Sequence, residues 1–133
     1  MTNRMLGRQG ENLAARHLVD RGHRVLARNH RVGRMGELDL VTLAEDGLTV
    51  CFIEVKARTT GVFGTPAEAV TADKRRRIRR MAEAFLAGSA NGAAQGGVHA
   101  IPSDGPPVRF DVVEVEVDVT GRRARVHHIP DAF

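Results

Sequence analysis

The sequence has no tryptophan, no tyrosine and one cysteine, Cys51, among its 133 residues. With five phenylalanines as its only large aromatic residues, it offers few rings on which bases could stack, which argues against a single-strand binder of the stacking type. A single cysteine excludes an internal disulfide and fits a reducing cytoplasm. We therefore expect Cys51 to be a small buried apolar residue rather than a reactive one.

Long apolar runs are also missing. No stretch is long enough to span a bilayer, and the N-terminal residues lack the apolar segment of a secretory signal. We therefore expect a cytoplasmic protein with no membrane partner. The length suits a single domain over residues 1–133. The net charge of +4 comes mostly from arginine and favours an anionic partner, of which nucleic acid is the commonest.

Two β-prone segments, residues 36–41 and 51–56, predict a β-hairpin around the turn signal Asp46-Gly47. A two-residue turn of this type requires positive φ at both central positions. Counting outward from such a turn sets the pairing of the two strands, although a slip of one residue would change every partner.

In this register Asp39 lies opposite Glu54, and Glu37 lies opposite Lys56. Side chains on a strand alternate between faces, so the other face carries apolar residues for a core: Leu38, Leu40, Cys51, Ile53 and Val55. Two opposed carboxylates repel each other, and a divalent cation such as magnesium would offset that repulsion. The alternative is a charged, solvated face with a Glu37–Lys56 pair.

A first helix is predicted over residues 7–21, ended by Gly22 as C-cap, with residues 1–5 loose. Its apolar stripe comprises Leu6, Gly10, Leu13, Ala14, His17 and Leu18. Glu11 lies at the edge of that stripe. It could reach a site beneath the helix, or it could be an exposed residue favoured by the helix dipole.

A second helix follows, with Thr71 as N-cap or with an earlier capping box at residues 65–68, and Gly88 is expected to end it. The apolar stripe comprises Ile78, Met81, Ala82, Phe85 and Leu86, and the basic residues on and beside it include Lys74, Arg75, Arg76, Arg79 and Arg80. So many cations repel one another along a helix. A bound polyanion would relieve the repulsion, although a solvated basic face is the alternative.

The remaining segments complete the order α-β-β-β-α-β-β. Strands are predicted over residues 23–30, 108–117 and 123–129, the last at a sheet edge. A loop at 57–66 joins the hairpin to the second helix, and a flexible loop is expected at about 88–107.

Asp39 followed by Glu54-Val55-Lys56 resembles the D…(D/E)xK signature of restriction-endonuclease-like proteins. With further residues the sequence resembles the YraN family of bacterial proteins: Gly10, Glu11, Ala14, Leu18, Gly22, Asn29, Arg31, 36–40, 52–58, 64–66, Lys74 and 109–113. That family is similar to archaeal Holliday-junction resolvases. The resemblance implies an α/β fold with a restriction-endonuclease-like core, in which helices flank a mixed central β-sheet. Leu38 stands where the superfamily often has proline.

The resemblance also implies residue roles. Asp39 and Glu54, with the Val55 carbonyl, would hold Mg²⁺ or Mn²⁺, Lys56 would orient a water or stabilise developing charge, and Glu11 would hold a second metal or a metal-bound water. Phosphates would be held by Arg58, Lys74, Arg75, Arg76, Arg79 and Arg80. Resolvase-like enzymes cut a two-fold symmetric junction, so a homodimer is expected.

Three functions follow from these observations. The first is a metal-dependent nuclease that hydrolyses phosphodiester bonds in structured or branched DNA. The second is a nucleic-acid-binding module of the same fold with little or no catalysis. The third is an assembly or scaffold protein whose acids and arginines pair internally. Intact acids beside the motif lysine favour the first.

Overall fold

A computed structural model of the chain describes residues 2–59, 70–90 and 105–133. The elements are α1 (Asn3–Asp20), β1 (Arg24–Val32), β2 (Gly36–Leu43), β3 (Val50–Thr59), α2 (Ala72–Ala90), β4 (Val108–Val117) and β5 (Ala124–Ile129). The strands form one sheet in the order β1-β2-β3-β4-β5, with β3 parallel to β4 and the other neighbours antiparallel. This mixed sheet, flanked by two helices, confirms the predicted element order and the fold class expected of a restriction-endonuclease-like core.

The sheet separates two apolar cores. On one face α2 covers Val41, Val50 and Phe52, and its own contribution is the predicted stripe led by Ile78 and Met81. On the other face α1 covers a second cluster, whose strand residues are Leu40, Cys51, Ile53, Val113, Val115 and Val117. A parallel β3–β4 pair requires a crossover connection, and α2 lies within that connection. Both faces of the central strands are therefore buried.

The first helix begins earlier than the sequence pattern predicts. It starts at Asn3, and the Thr2 hydroxyl caps it by accepting a hydrogen bond from the Met5 amide at 3.1 Å. The prediction of a loose segment is therefore wrong for residues 3–5, because an N-cap satisfies backbone amides of the first turn. Met1 lies outside the described residues. At the other end Gly22 has φ of +93° and directly follows the C-cap, as expected for a glycine-terminated helix.

Gly10 allows α1 to lie close to the sheet. A Cβ at this position would stand 2.5 Å from the Cβ of Ala57 on β3, which is closer than two carbon atoms can approach without displacement. The glycine therefore lets the helix approach β3 closely, and it positions the neighbouring Glu11 near the same strand.

The hairpin has the predicted register but a wider turn. Leu40 pairs with Ile53 and Leu43 with Val50, as counted from the sequence. The Ala44 amide bonds the Thr49 carbonyl at 2.8 Å, so the two-residue turn is wrong. Only the glycine of Asp46-Gly47 has positive φ. The register survives because the loop gains one residue on each arm.

On the N-terminal side of Leu40, the side chains of β2 depart from the predicted alternation between faces. Leu38 packs in the cluster under α2, whereas Leu40 packs in the cluster under α1, so the prediction that they share a face is wrong. The reason is that the β2–β3 ladder ends at the Leu40–Ile53 pair. Glu37 is exposed and is in register with Arg31 of β1, and Lys56 forms its ion pair with Glu54 instead.

The second helix confirms Thr71 as N-cap, since its hydroxyl accepts a hydrogen bond from the Lys74 amide at 3.2 Å. Gly88 does not end the helix, which continues to Ala90, because one glycine near a helix end costs only about 1 kcal/mol. β3 continues to Thr59, so the start of the predicted 57–66 loop is also wrong. The alternative capping box and most of the 88–107 loop lie outside the described residues.

The last two strands match their predicted positions, with β4 at the predicted residues and β5 at a sheet edge. No helix in the described ranges has the length and apolarity needed to cross a membrane.

Candidate active site

A cavity of about 350 Å³ opens between the first turns of α1, the start of α2 and the point where β2 and β3 diverge. Its lining comprises Asn3, Leu6, Gly7, Glu11, Asp39, Glu54, Val55, Lys56, Ala57 and Lys74. We call it the carboxylate pocket. The structure thus brings together six of the residues singled out in the sequence: Glu11, Asp39, Glu54, Val55, Lys56 and Lys74.

Asp39 lies where the hairpin ladder stops. Its Oδ2 accepts a hydrogen bond from the Val55 amide at 2.9 Å. A strand amide that loses its carbonyl partner must find another acceptor, and the aspartate side chain supplies it. The end of the β2–β3 pairing therefore leaves an amide that holds the Asp39 carboxylate in the pocket.

The pKa of Asp39 is raised to about 7. Burial is the main cause, the Glu54 carboxylate adds to it, and Glu11 adds a smaller contribution, while the Val55 amide and Lys74 act in the opposite direction. An aspartate in water titrates near pH 4. This acid is therefore held in surroundings that disfavour its charge, as expected where carboxylates gather without enough cations.

Glu54 is the most buried acid of the pocket, with 7% of its side chain exposed. Its Oε1 contacts two ammonium groups, Lys74 Nζ at 2.5 Å and Lys56 Nζ at 3.4 Å. A buried carboxylate requires such partners, because an unpaired charge in the interior is strongly destabilising. Lys56 lies on the same strand as Glu54, whereas Lys74 comes from α2, so the Lys74–Glu54 pair joins the sheet to the helix at this point.

The two lysines respond differently to their surroundings. Burial lowers the pKa of Lys56, and the nearby Lys74 lowers it further. Burial also lowers the pKa of Lys74, but the hydrogen bond and ion pair with Glu54 outweigh that effect and leave it raised. Lys74 is thus the more firmly charged of the two.

Glu11 reaches the pocket from α1. Of the two positions that the sequence allowed, the structure shows the one beneath the helix rather than a fully exposed one. Glu11 lines the cavity from the second turn of the helix. No hydrogen bond or ion pair to its carboxylate is found in the described part of the chain.

The donor set suits a hard divalent cation. Asp39, Glu54 and Glu11 supply carboxylate oxygens, which are the ligands that Mg²⁺ prefers, and Mg²⁺ commonly uses only one or two protein carboxylates with waters. Within the described ranges, no group of three or more His, Cys, Asp or Glu side chains is close enough to form a complete metal cage. The described residues therefore offer no closed structural site, and a cation here would use at most two of the acids with waters.

Arg58 and the predicted arginines of α2 do not line the pocket. Arg58 pairs with Glu116 of β4 at 3.1 Å. Arg76 pairs with Asp73 on the exposed side of α2. Arg75 and Arg79 hold their guanidinium groups 5.7 and 5.6 Å from the centre of the Phe133 ring. These arginines are thus partly engaged in contacts that stabilise the fold.

Asn3 is a polar pocket residue that the sequence reasoning missed. It lines the cavity, but the helix was predicted to start later. Thr2 is a good N-cap type, and Asn3 lies three residues before Leu6 and seven before Gly10 on the same stripe. That spacing is the signal that could have placed it.

A second polar centre, also missed, surrounds Asp111 of β4. Its carboxylate, which is completely buried, accepts from Arg109 Nε and Nη2 at 2.9 Å each, from His128 Nε2 at 2.7 Å and from the Asp131 amide at 3.0 Å. We call this the Asp111 network. Arg109 and Asp111 share a strand face in the sequence, but the other partners arrive only when β5 pairs with β4.

Fold and pocket together define a mixed α/β domain with a restriction-endonuclease-like core and an acidic, lysine-containing pocket at the end of a hairpin. A sequence model of the uncharacterised protein family UPF0102 matches residues 10–115, and the chain belongs to this family, which is the YraN family that its motifs resemble.

Relatives in the family align along nearly their whole length. A UPF0102 protein of Symbiobacterium thermophilum is 44% identical over 131 residues, covering 98% of each chain. One from Nocardia farcinica is 46% identical, covering 96% of this chain and 88% of its own. One from Chlorobium phaeobacteroides is 42% identical, covering 96% and 93%.

Proposed function

We propose that this protein is a metal-dependent nuclease that hydrolyses phosphodiester bonds in structured or branched DNA. The observation that carries the proposal is the excess of acid in the carboxylate pocket, expressed in the pKa of Asp39 of about 7. A protein gains no stability from gathering carboxylates in a half-buried cavity. Such a cluster is expected where a cation is bound.

The residues divide the chemistry as follows. Asp39, Glu54 and the Val55 carbonyl would hold Mg²⁺ or Mn²⁺, with Glu11 holding a second ion or a water. The cation would supply Lewis-acid polarisation of the scissile phosphate and a more acidic water. Lys56 is 3.4 Å from Glu54 and would orient the attacking water or stabilise charge on a phosphate oxygen. Exposed arginines of α2 would bind flanking phosphates.

The test is cleavage of labelled four-way junction, flap and plain duplex DNA at low salt with Mn²⁺. Wild type is compared with Glu54→Gln, which keeps the shape of the side chain but removes its charge. Glu83→Gln, an exposed glutamate on α2, is the matched control. We expect cleavage by wild type and by the control, and at least a hundredfold loss in Glu54→Gln. Equal cleavage by all three proteins would contradict the proposal.

A second candidate is a nucleic-acid-binding module without catalysis. The observation in its favour is that both lysines of the pocket already neutralise Glu54. This candidate predicts tight, salt-sensitive DNA binding that is unchanged in Glu54→Gln, with no cleavage by any of the three proteins.

A further inference from the structure

The two lysines of this chain, Lys56 and Lys74, both lie in the carboxylate pocket. Of twenty lysine and arginine residues, two are lysines, and both place Nζ against the same oxygen, Oε1 of Glu54. An ammonium group is a compact point charge, whereas a guanidinium is a broad planar fork, so the two are not interchangeable. The two lysine ammonium groups therefore occupy the position at Glu54 where a divalent cation would bind.

We propose that Lys74 substitutes for the divalent cation at Glu54 in the metal-free protein, and that metal binding displaces it so that its ammonium group binds a phosphate of the nucleic acid. The inference rests on the proposed function and adds a coupling to it: metal and nucleic acid each promote binding of the other.

Geometry selects Lys74 over Lys56 as the displaced residue. Lys74 is the closer cation, at 2.5 Å, and 37% of its side chain is exposed, against 25% for Lys56. It extends from α2, while Lys56 lies on the same strand as Glu54, two residues further on. A long, partly exposed side chain can move its ammonium toward solvent without disturbing the core. Lys56 is held beside the acid by the strand itself.

The charge balance gives the direction of the coupling. With all groups ionised, the pocket carries three carboxylates, Glu11, Asp39 and Glu54, against two ammonium groups, which leaves one net negative charge. A divalent cation changes this to one net positive charge, and a phosphodiester carries one negative charge. The bound cation would take Glu54 from Lys74 and would repel its ammonium group. A phosphate oxygen of the nucleic acid would then be a favourable new partner for Lys74.

Reciprocity makes the proposal testable without catalysis. If metal raises the affinity for DNA, DNA must raise the affinity for metal by the same factor. Ca²⁺ serves as the probe, because it takes oxygen ligands. Its binding is measured by calorimetry, and binding of a labelled four-way junction is measured by anisotropy, with and without Ca²⁺ at constant ionic strength.

For wild type we expect Ca²⁺ to strengthen junction binding by about fivefold or more, within the usual range of coupling between sites. In Lys74→Met, Ca²⁺ should bind about fivefold more tightly than in wild type without DNA, because the competing charge is gone. The enhancement of junction binding by Ca²⁺ should disappear. Lys74→Gln, which can still donate a hydrogen bond to Glu54, is the second variant if Lys74→Met does not fold.

Arg76→Met is the control, since Arg76 lies on the same helix but pairs with Asp73. It should weaken junction binding equally with and without Ca²⁺. Unchanged Ca²⁺ affinity in both Lys74 variants, or full coupling retained in them, would overturn the inference while leaving the proposed nuclease intact. Absence of metal binding in wild type and variants alike would overturn both.

Discussion

Two aspartates of one sheet, Asp39 and Asp111, have pKa values shifted in opposite directions from the ordinary value of an aspartate. Asp111 accepts four hydrogen bonds, two of them from Arg109, and its pKa is lowered to about 2 although burial acts to raise it. Asp39 accepts one, from the Val55 amide, and its pKa is raised to about 7. Burial disfavours both charges, so the number and charge of the donors decide the outcome.

The difference separates a structural centre from a functional one. In the Asp111 network every partner comes from the protein, and the cluster joins β4 to His128 of β5 and to the chain that follows it. In the carboxylate pocket acids outnumber cations and Glu11 has no partner within the described ranges. A satisfied network has nothing left to bind, whereas an unbalanced one can be completed by a ligand.

The largest expected effect is loss of the satisfied centre. Asp111→Ala removes a fully buried carboxylate and leaves its donors on Arg109 and His128 without an acceptor. We therefore expect the free energy of unfolding to fall by about 3–5 kcal/mol. Urea denaturation at pH 7.5 in metal-free buffer measures it. Glu54→Ala, the matched deletion in the carboxylate pocket, should cost less than half as much. Glu54 has two lysine partners rather than four hydrogen bonds, and its loss also relieves the repulsion on Asp39. Equal losses would remove the distinction between the two centres.

The next effect has the opposite sign. Asp39→Asn keeps an oxygen that can accept from the Val55 amide but removes the charge, so we expect it to stabilise the protein at pH 8 by about 1–3 kcal/mol. The folded pKa of Asp39 lies near 7 and the unfolded pKa near 4. Between these values the folded state holds a proton that the unfolded state has lost, so wild-type stability falls as pH rises through this window.

At pH 4 the folded state is protonated and the unfolded state is about half protonated, so the variant should gain little there. Thermal unfolding in metal-free buffer at pH 4 and pH 8 measures the difference. Destabilisation of Asp39→Asn at pH 8 would show that the acid is structural, like Asp111.

A smaller effect concerns metal binding. A cation binds the ionised form of Asp39, so its binding should displace a proton. With a pKa of about 7, the ionised fraction rises about tenfold from pH 6 to pH 8, and we expect Mn²⁺ affinity to rise by about the same factor. Titration followed by electron paramagnetic resonance measures it. In Asp39→Asn binding should be weak and nearly independent of pH, and a flat wild-type profile would contradict the assignment.

The sequence predicts the hairpin register because the turn residues and the apolar alternation agree on it. Leu40 faces Ile53 as counted, and that register brings Asp39 and Glu54 into one neighbourhood. The apolar stripe of α2, from Ile78 to Leu86, also follows directly from its period, because one face of the helix must be buried.

The features that the sequence does not predict depend on contacts between elements far apart in the chain. The pairing of Lys74 with Glu54 crosses from helix to sheet, and no local pattern carries that information. The Asp111 network exists only once β5 returns beside β4. The departure at Leu38 was missed because alternation assumes a continuous ladder, whereas this ladder ends at Leu40.

The smallest expected effects concern the arginines of α2, some of which contact the fold while others are free to bind a ligand. Arg79 lies 5.4 Å from the centre of the Phe110 ring and close to that of Phe133, so Arg79→Gln should lower the free energy of unfolding by about 0.5–1 kcal/mol. Arg80 is exposed, so Arg80→Gln should change stability by less than about 0.5 kcal/mol. If it binds phosphate, its loss should reduce the slope of log affinity against log salt by about one. Anisotropy at several salt concentrations and urea denaturation separate the two roles, and equal stability losses in both variants would show that the arginines are not divided in this way.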